Sequence, residues 1–140
     1  MKLAIATNNA GKVKEFSRIL APLGIEARSM KELGVSLEVE ETGATFEENA
    51  YLKAKALFDV LHTPVVADDS GIEVDALGGR PGVYTARYAG EHATDEENID
   101  KLLADLKDVP SGQRTARFVC ALCVILSEQE HFFLRGACEG

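Results

Sequence analysis

Pro64-Val65-Val66-Ala67-Asp68-Asp69-Ser70-Gly71 is the stretch on which the reading of this chain turns. An apolar run of strand type leads straight into two adjacent carboxylates. At the end of a buried strand such a pair repels itself and loses hydration unless a cation or a proton offsets it. In open α/β sheets the carboxyl ends of strands are where ligands bind. On that reading Asp68 and Asp69 point to a hard metal ion and hydrolytic chemistry. The same letters also read as a solvated turn, since Asp, Ser and Gly are ordinary turn formers. In both readings residues 65–67 are a strand, and residues 72–74 can form another.

Upstream, Thr45-x-x-Glu48 is a capping box, and Phe46, Ala50, Ala54, Leu57, Phe58 and Leu61 follow it at helical spacing. Residues 2–7 read as a short buried strand. Asn9 and Gly11 interrupt it, and a helix follows with Val13, Phe16, Ile19, Leu20 and Leu23 on one face, ended by Pro22 and Gly24. Residues 25–29 make a weak second strand. Residues 31–41 are irregular, held down by Leu33, Val35, Leu37 and Val39. Downstream comes the glycine-rich stretch 78–82. Thr94-x-x-Glu97 then caps a third helix carrying Ile99, Leu102, Leu103 and Leu106. Residues 114–126 form a long strand, apolar on both faces from Phe118 onward and therefore central in its sheet. A turn at 127–130 leads to a returning strand over 131–137. Strands alternating with helices and closed by a hairpin predict an α/β fold, a mixed central β-sheet flanked by helices with its cleft at strand ends.

The 140 residues form one domain, long enough for a sizeable core. A formal net charge of −8 argues against a nucleic-acid partner, which requires a basic surface, but leaves room for a small anion held by local cations or a metal. No apolar run approaches membrane-spanning length, so no membrane is expected. The first residues reach polar Asn8 too soon for a signal peptide. Three cysteines in apolar context fit a reducing cytoplasm. Cys120 and Cys123 have CxxC spacing inside a strand, which puts them on opposite faces, and they are read as structural. His62, His92 and His131 show no metal-ligand spacing.

Thr7-Asn8-Asn9-Ala10-Gly11-Lys12 joins the first strand to the first helix, where free backbone N–H groups and the helix dipole favour an anion. Lys12 opposes that dipole, which makes sense if an anion waits above it. Otherwise it is a lysine snorkelling from an apolar face. Lys53 flanks the apolar stripe of the second helix beside Asn49, and the same two readings apply. Removing either lysine is expected to weaken binding of a polyanion and to cost no more than about 1 kcal/mol of stability. Glu38, Glu40 and Glu41 precede a helix start, which the dipole alone would favour. One of them could also join Asp69 around Mg²⁺, which takes few protein carboxylates.

These pieces occur in an order and spacing that resemble one family. They are Thr7-x-Asn9-x-x-Lys12, Glu40-Glu41-Thr42-Gly43-x-Thr45-Phe46-x-Glu48-Asn49-Ala50-x-x-Lys53-Ala54, Ala67-Asp68-Asp69-Ser70-Gly71-Ile72-x-Val74, and Leu77-Gly78-Gly79-x-Pro81-Gly82-Val83-Tyr84-x-Ala86-Arg87-Tyr88. The chain resembles the inosine/xanthosine triphosphate pyrophosphatases. These enzymes cut non-standard purine nucleoside triphosphates between the α and β phosphates. The resemblance implies an ITPase-like nucleotide cleft, a Mg²⁺ cofactor and a homodimer. It implies that Thr7, Asn8, Asn9, Ala10, Gly11 and Lys12 hold the triphosphate together with Lys53, and that Ser70 contacts substrate. It implies that Asp69 is the general base and a metal ligand, with Glu40 the second metal carboxylate and Glu41 its alternate. Asp68 would raise the proton affinity of Asp69. The family's Gly-Phe-Gly-Tyr-Asp-Pro-like and Ser-His-Arg-like segments, which recognise the base, do not occur here. Residues 1–140 are therefore expected to be a single nucleotide pyrophosphatase domain incomplete at its C-terminus, with an uncovered edge at Phe132, Phe133 and Leu134. The alternative is a non-catalytic nucleotide-binding or dimerisation fragment. An aspartyl-phosphatase reading lacks the D-x-D pair it needs.

Overall fold

The computed structural model of the protein describes residues 1–139. Its elements are β1 (Lys2–Ile5), α1 (Ala10–Leu20), β2 (Glu26–Ser29), α2 (Phe46–Leu61), β3 (Val65–Val74), α3 (Asp95–Asp105), β4 (Ala116–Ser127) and β5 (Glu130–Glu139), joined by loops and short 3₁₀ turns. One mixed sheet has the strand order β2-β1-β3-β4-β5. Strand β1 runs parallel to β2, pairing Leu3 with Ala27, and parallel to β3, pairing Ala4 with Val65 and Ile5 with Val66. The α/β class expected from the sequence is the one observed.

Two compact units divide the chain. The first comprises Met1–Asp68 with Ala121–Leu134, and the second Asp69–Cys120 with the residues from Arg135. In the first unit the period of two along the strands sorts side chains to two faces. Ala4, Ala6, Val65, Ala67, Cys123 and Ile125 meet Ala50, Ala54, Leu57 and Phe58 of α2. Leu3, Ile5 and Val66 meet Val13, Phe16 and Leu20 of α1. The helices thus cover opposite faces, because each presents one apolar stripe at 3.6-residue spacing.

The stripe of α1 is narrower than its letters imply. Ile19 and Leu23 are more than half exposed. After Leu20 the chain tightens into a 3₁₀ turn at Ala21–Leu23, so Leu23 leaves the helical register. On α2, Thr45 accepts from the Glu48 N–H as a cap should. The reciprocal bond from the Glu48 carboxylate goes to the Ala44 N–H, one residue upstream of the expected donor. His62 ends this helix in the left-handed region at φ 52°.

In the second unit, Val74 and Val119 are fully buried. The expected capping box of α3 is complete: Thr94 Oγ1 accepts from the Glu97 N–H at 3.2 Å, and Glu97 Oε1 accepts from the Thr94 N–H at 3.0 Å. These bonds hold the Glu97 carboxyl below its ordinary range. Ile99 and Leu103 are nonetheless exposed. Arg117 is gripped by Asp75 at 3.0 Å and by Glu139 at 3.1 Å.

Three strand expectations change. Residues 65–67 and 72–74 are not separate strands: β3 runs unbroken through Asp68-Asp69-Ser70-Gly71, so the turn reading is overturned and the acidic pair lies mid-strand. Sheet pairing outweighs the poor β-propensity of Asp, Ser and Gly. Strand β4 has a neighbour on each side, as expected of an interior strand. It is not buried on both faces, however. Val119, Ala121, Cys123 and Ile125 alternate with half-buried residues, and Phe118 is exposed. Strand β5 is longer than expected and exposed along its whole length, including Phe132, Phe133 and Leu134.

Candidate active site

Strand β1 ends at Ile5, and the backbone turns over Thr7, Asn8 and Asn9 before α1 begins. Asn9 is the N-cap: its Oδ1 accepts from the Gly11 N–H at 2.9 Å and the Lys12 N–H at 3.3 Å. The Asn9 N–H in turn donates to Thr7 Oγ1 at 3.1 Å. The N–H groups of Gly11 and Lys12 are therefore already capped, which corrects the expectation that they stand free for an anion.

Lys12 does meet an anion. Its Nζ lies 2.8 Å from Asp68 Oδ2, with the lysine about a third exposed and the carboxylate almost fully buried. Register explains the meeting. Asp68 follows Val66 on the face of β3 that α1 covers, while Asp69 has the opposite parity, that of Val65 and Ala67. Both aspartates are buried, at 6% exposure each. Alternation relieves the repulsion expected between neighbours, and the Lys12 ammonium offsets Asp68.

A cleft of about 600 Å³ opens beside this pair. Thr7, Asn8 and Lys12 form one wall, and Glu38, Glu40 and Glu41 another. Lys53 of α2 also lines it and reaches Glu41 at 3.2 Å. The acidic segment is tied down at both ends. Asn8 Nδ2 donates to the Leu37 carbonyl at 3.3 Å, and the Gly43 N–H donates to Asn49 Oδ1 at 2.8 Å. Apolar Leu37 packs on the core beneath.

Of the residues singled out from the sequence, Thr7, Asn8, Lys12, Lys53 and Glu40 therefore share one cleft. Asn9 serves as the cap, and Ala10 and Gly11 begin the helix it caps. Asp69 and half-buried Ser70 lie on β3 in the second unit. Sequence reasoning missed Asp68 as the partner of Lys12, and Asn49 as the acceptor for Gly43. Strand parity was the available signal for the first, and for the second the presence of an asparagine among the apolar positions of α2. Among the described residues no group of three or more His, Cys, Asp or Glu forms a metal cluster. The donors that line the cleft are carboxylate oxygens, which suit a hard cation. Cys123 takes no part. It is fully buried, and desolvation pushes its thiol up to about 11.

Known proteins share both sequence and fold with this chain. It is 54% identical over 136 residues to a Bacillus subtilis protein named dITP/XTP pyrophosphatase, covering 97% of this chain and 69% of that one. A protein of the same name from Geobacillus kaustophilus is 52% identical, with 99% and 68% covered. The Ham1 protein of Staphylococcus aureus superposes with a TM-score of 0.88 at 44% identity, covering all of this chain and 71% of the other. A HAM1 protein from Coxiella burnetii gives 0.91 at 36% identity, with all of this chain and 72% of the other covered. The chain thus spans about 70% of the length of such relatives. The family model matches residues 3–140, and on this agreement of sequence and fold the chain belongs to the Ham1 family.

Proposed function

We propose that this protein hydrolyses non-standard purine nucleoside triphosphates (ITP, dITP and XTP) to the monophosphate and pyrophosphate, removing them from the nucleotide pool. The observation that carries this reading is 54% identity to a protein named dITP/XTP pyrophosphatase. A cleft lined by two lysines and three glutamates supports it, since a polyanion needs cations and its counter-ion needs carboxylates.

In this reading the segment Thr7-Asn8-Asn9-Ala10-Gly11-Lys12 and Lys53 hold the triphosphate, with Thr7, Asn8 and Lys12 on the cleft wall and Asn9, Ala10 and Gly11 forming the capped turn that carries them, and Ser70 contacts substrate. Asp69 takes a proton from the attacking water as that water's oxygen bonds to the α-phosphorus. The bond from the α-phosphorus to the bridging oxygen breaks, and pyrophosphate leaves. Glu40 and Asp69 are the carboxylates that would hold Mg²⁺, with Glu41 the alternate. The bound ion supplies neutralisation of charge on phosphate oxygens. The protein acts as a homodimer in the cytoplasm.

Incubation with dITP, XTP and GTP, with and without Mg²⁺, tests the proposal. Release of pyrophosphate from dITP and XTP is expected, lost in excess chelator. Orthophosphate as sole product, or full turnover without divalent ions, would refute it. Light scattering decides whether the protein is a dimer.

A further inference from the structure

Asn49 is an anomaly on α2. It is fully buried in a stripe otherwise made of Phe46, Ala50, Ala54, Leu57 and Phe58, and it does not line the cleft. A buried amide among apolar residues is costly unless its hydrogen bonds are made. One is visible: Asn49 Oδ1 accepts the Gly43 N–H at 2.8 Å. Gly43 is fitted to the same spot. A Cβ there would lie 2.6 Å from the Glu48 Cβ and 2.8 Å from Asn49 Oδ1, so only glycine lets the backbone come this close.

The contact matters because of what precedes it. Residues 38–41 carry Glu38, Glu40 and Glu41 along the cleft with no helix or strand to fix them. Asn8 holds the Leu37 end by a longer, exposed bond of 3.3 Å. Asn49 holds the Gly43 end by a shorter, part-buried one, reinforced next door by the Glu48 carboxylate on the Ala44 N–H at 2.7 Å. Resting on the functional reading above, we propose that Asn49 is a positioning residue. Without lining the cleft itself, it fixes the acidic segment 38–41 through Gly43, and so sets the affinity for the triphosphate. Glu41 transmits that placement to Lys53 through their 3.2 Å pair. Loosening groups that hold substrate alike in the ground and transition states raises KM and leaves kcat little changed.

Asn49→Ala removes the acceptor from the helix side, and Gly43→Ala disrupts the same contact from the segment side. Leu57→Val, in the fully buried stripe of the same helix but away from the segment, serves as the control for general destabilisation. Amide hydrogen exchange and steady-state kinetics with dITP are measured for all four proteins, including the wild type. Both cleft-side variants should accelerate exchange over residues 38–44 and raise KM about 10-fold with kcat changed less than about 3-fold. Leu57→Val should do neither at equal loss of Tm. Unchanged exchange over residues 38–44 in Asn49→Ala would overturn the proposal, as would kinetics indistinguishable from Leu57→Val. Absence of dITP turnover in the wild type would instead contradict the functional reading, and the exchange data alone would then decide the role of Asn49.

Discussion

Asp68 and Asp69 are neighbours in sequence with opposite parity on β3, and that separates their fates. Asp68 is committed to Lys12 at 2.8 Å. Asp69→Asn keeps the shape and removes the proposed base. Turnover should fall about 10²-fold or more with Tm preserved, and Asp68→Asn should cost less. Equal or reversed losses of kcat would exchange the two assignments. The lysines differ as well. Lys12→Ala leaves a buried carboxylate without its cation, so a loss of about 1–2 kcal/mol in urea denaturation is expected beyond any loss of triphosphate affinity. This revises the expectation from sequence that Lys12 is dispensable for stability. Lys53→Ala breaks a pair that is more open on the carboxylate side, and should cost under about 1 kcal/mol. The oddity of Lys12 was legible because a basic residue in the first turn opposes the dipole. Its partner was legible only in part: strand parity separates Asp68 from Asp69, but 56 positions lie between Lys12 and Asp68 and the sheet alone brings them together.

At the scale of elements, long periodic segments read well and segments of mixed character did not. The Thr45-Glu48 and Thr94-Glu97 pairs carried the start signals of α2 and α3, and both helices begin where those signals put them. Strand β3 was misread as two pieces because Asp-Asp-Ser-Gly has turn composition. What keeps it extended is pairing within the sheet, a long-range fact that no local window contains. The ends of the helices invite tests. His62 caps α2 at φ 52°, a region that strains a side-chain-bearing residue, so His62→Gly should stabilise by about 0.5–1 kcal/mol in thermal unfolding. Thr94→Ala should destabilise by about 1 kcal/mol, as loss of an N-cap does. Because the Glu97 carboxyl is held below its ordinary value, the box contributes stability above the unfolded value of 4.5, and loses it as pH falls through the lowered folded value. NMR titration of Glu97 in Thr94→Ala should show the carboxyl returning toward 4.5. An unchanged titration would mean that the cap is not its cause.

For the molecule as a whole, no helix among the described residues is long and apolar enough to cross a membrane. The three thiols give a global readout of integrity. Cys138 is exposed, Cys120 half-buried and Cys123 buried. Alkylation of the native protein should therefore label Cys138 first and Cys123 last, and reversal of that order would contradict the packing of β4 against α2. Burial raises the Cys123 thiol from 9.0 to about 11, so its contribution to stability is intact below pH 9 and declines as pH rises through 11. The pair between Lys12 and Asp68 has a consequence of its own. A resident carboxylate already neutralises this lysine; in the role proposed for Lys12, an incoming phosphate would have to displace an internal competitor rather than fill a vacancy. Displacement favours ligands of high charge density. A triphosphate or pyrophosphate meets that threshold more readily than a nucleoside monophosphate, whose weaker rebinding would leave the cleft clear for the next turnover. Inhibition constants for pyrophosphate and for IMP should accordingly differ, and Asp68→Asn should narrow the gap by lowering the threshold for the weaker anion.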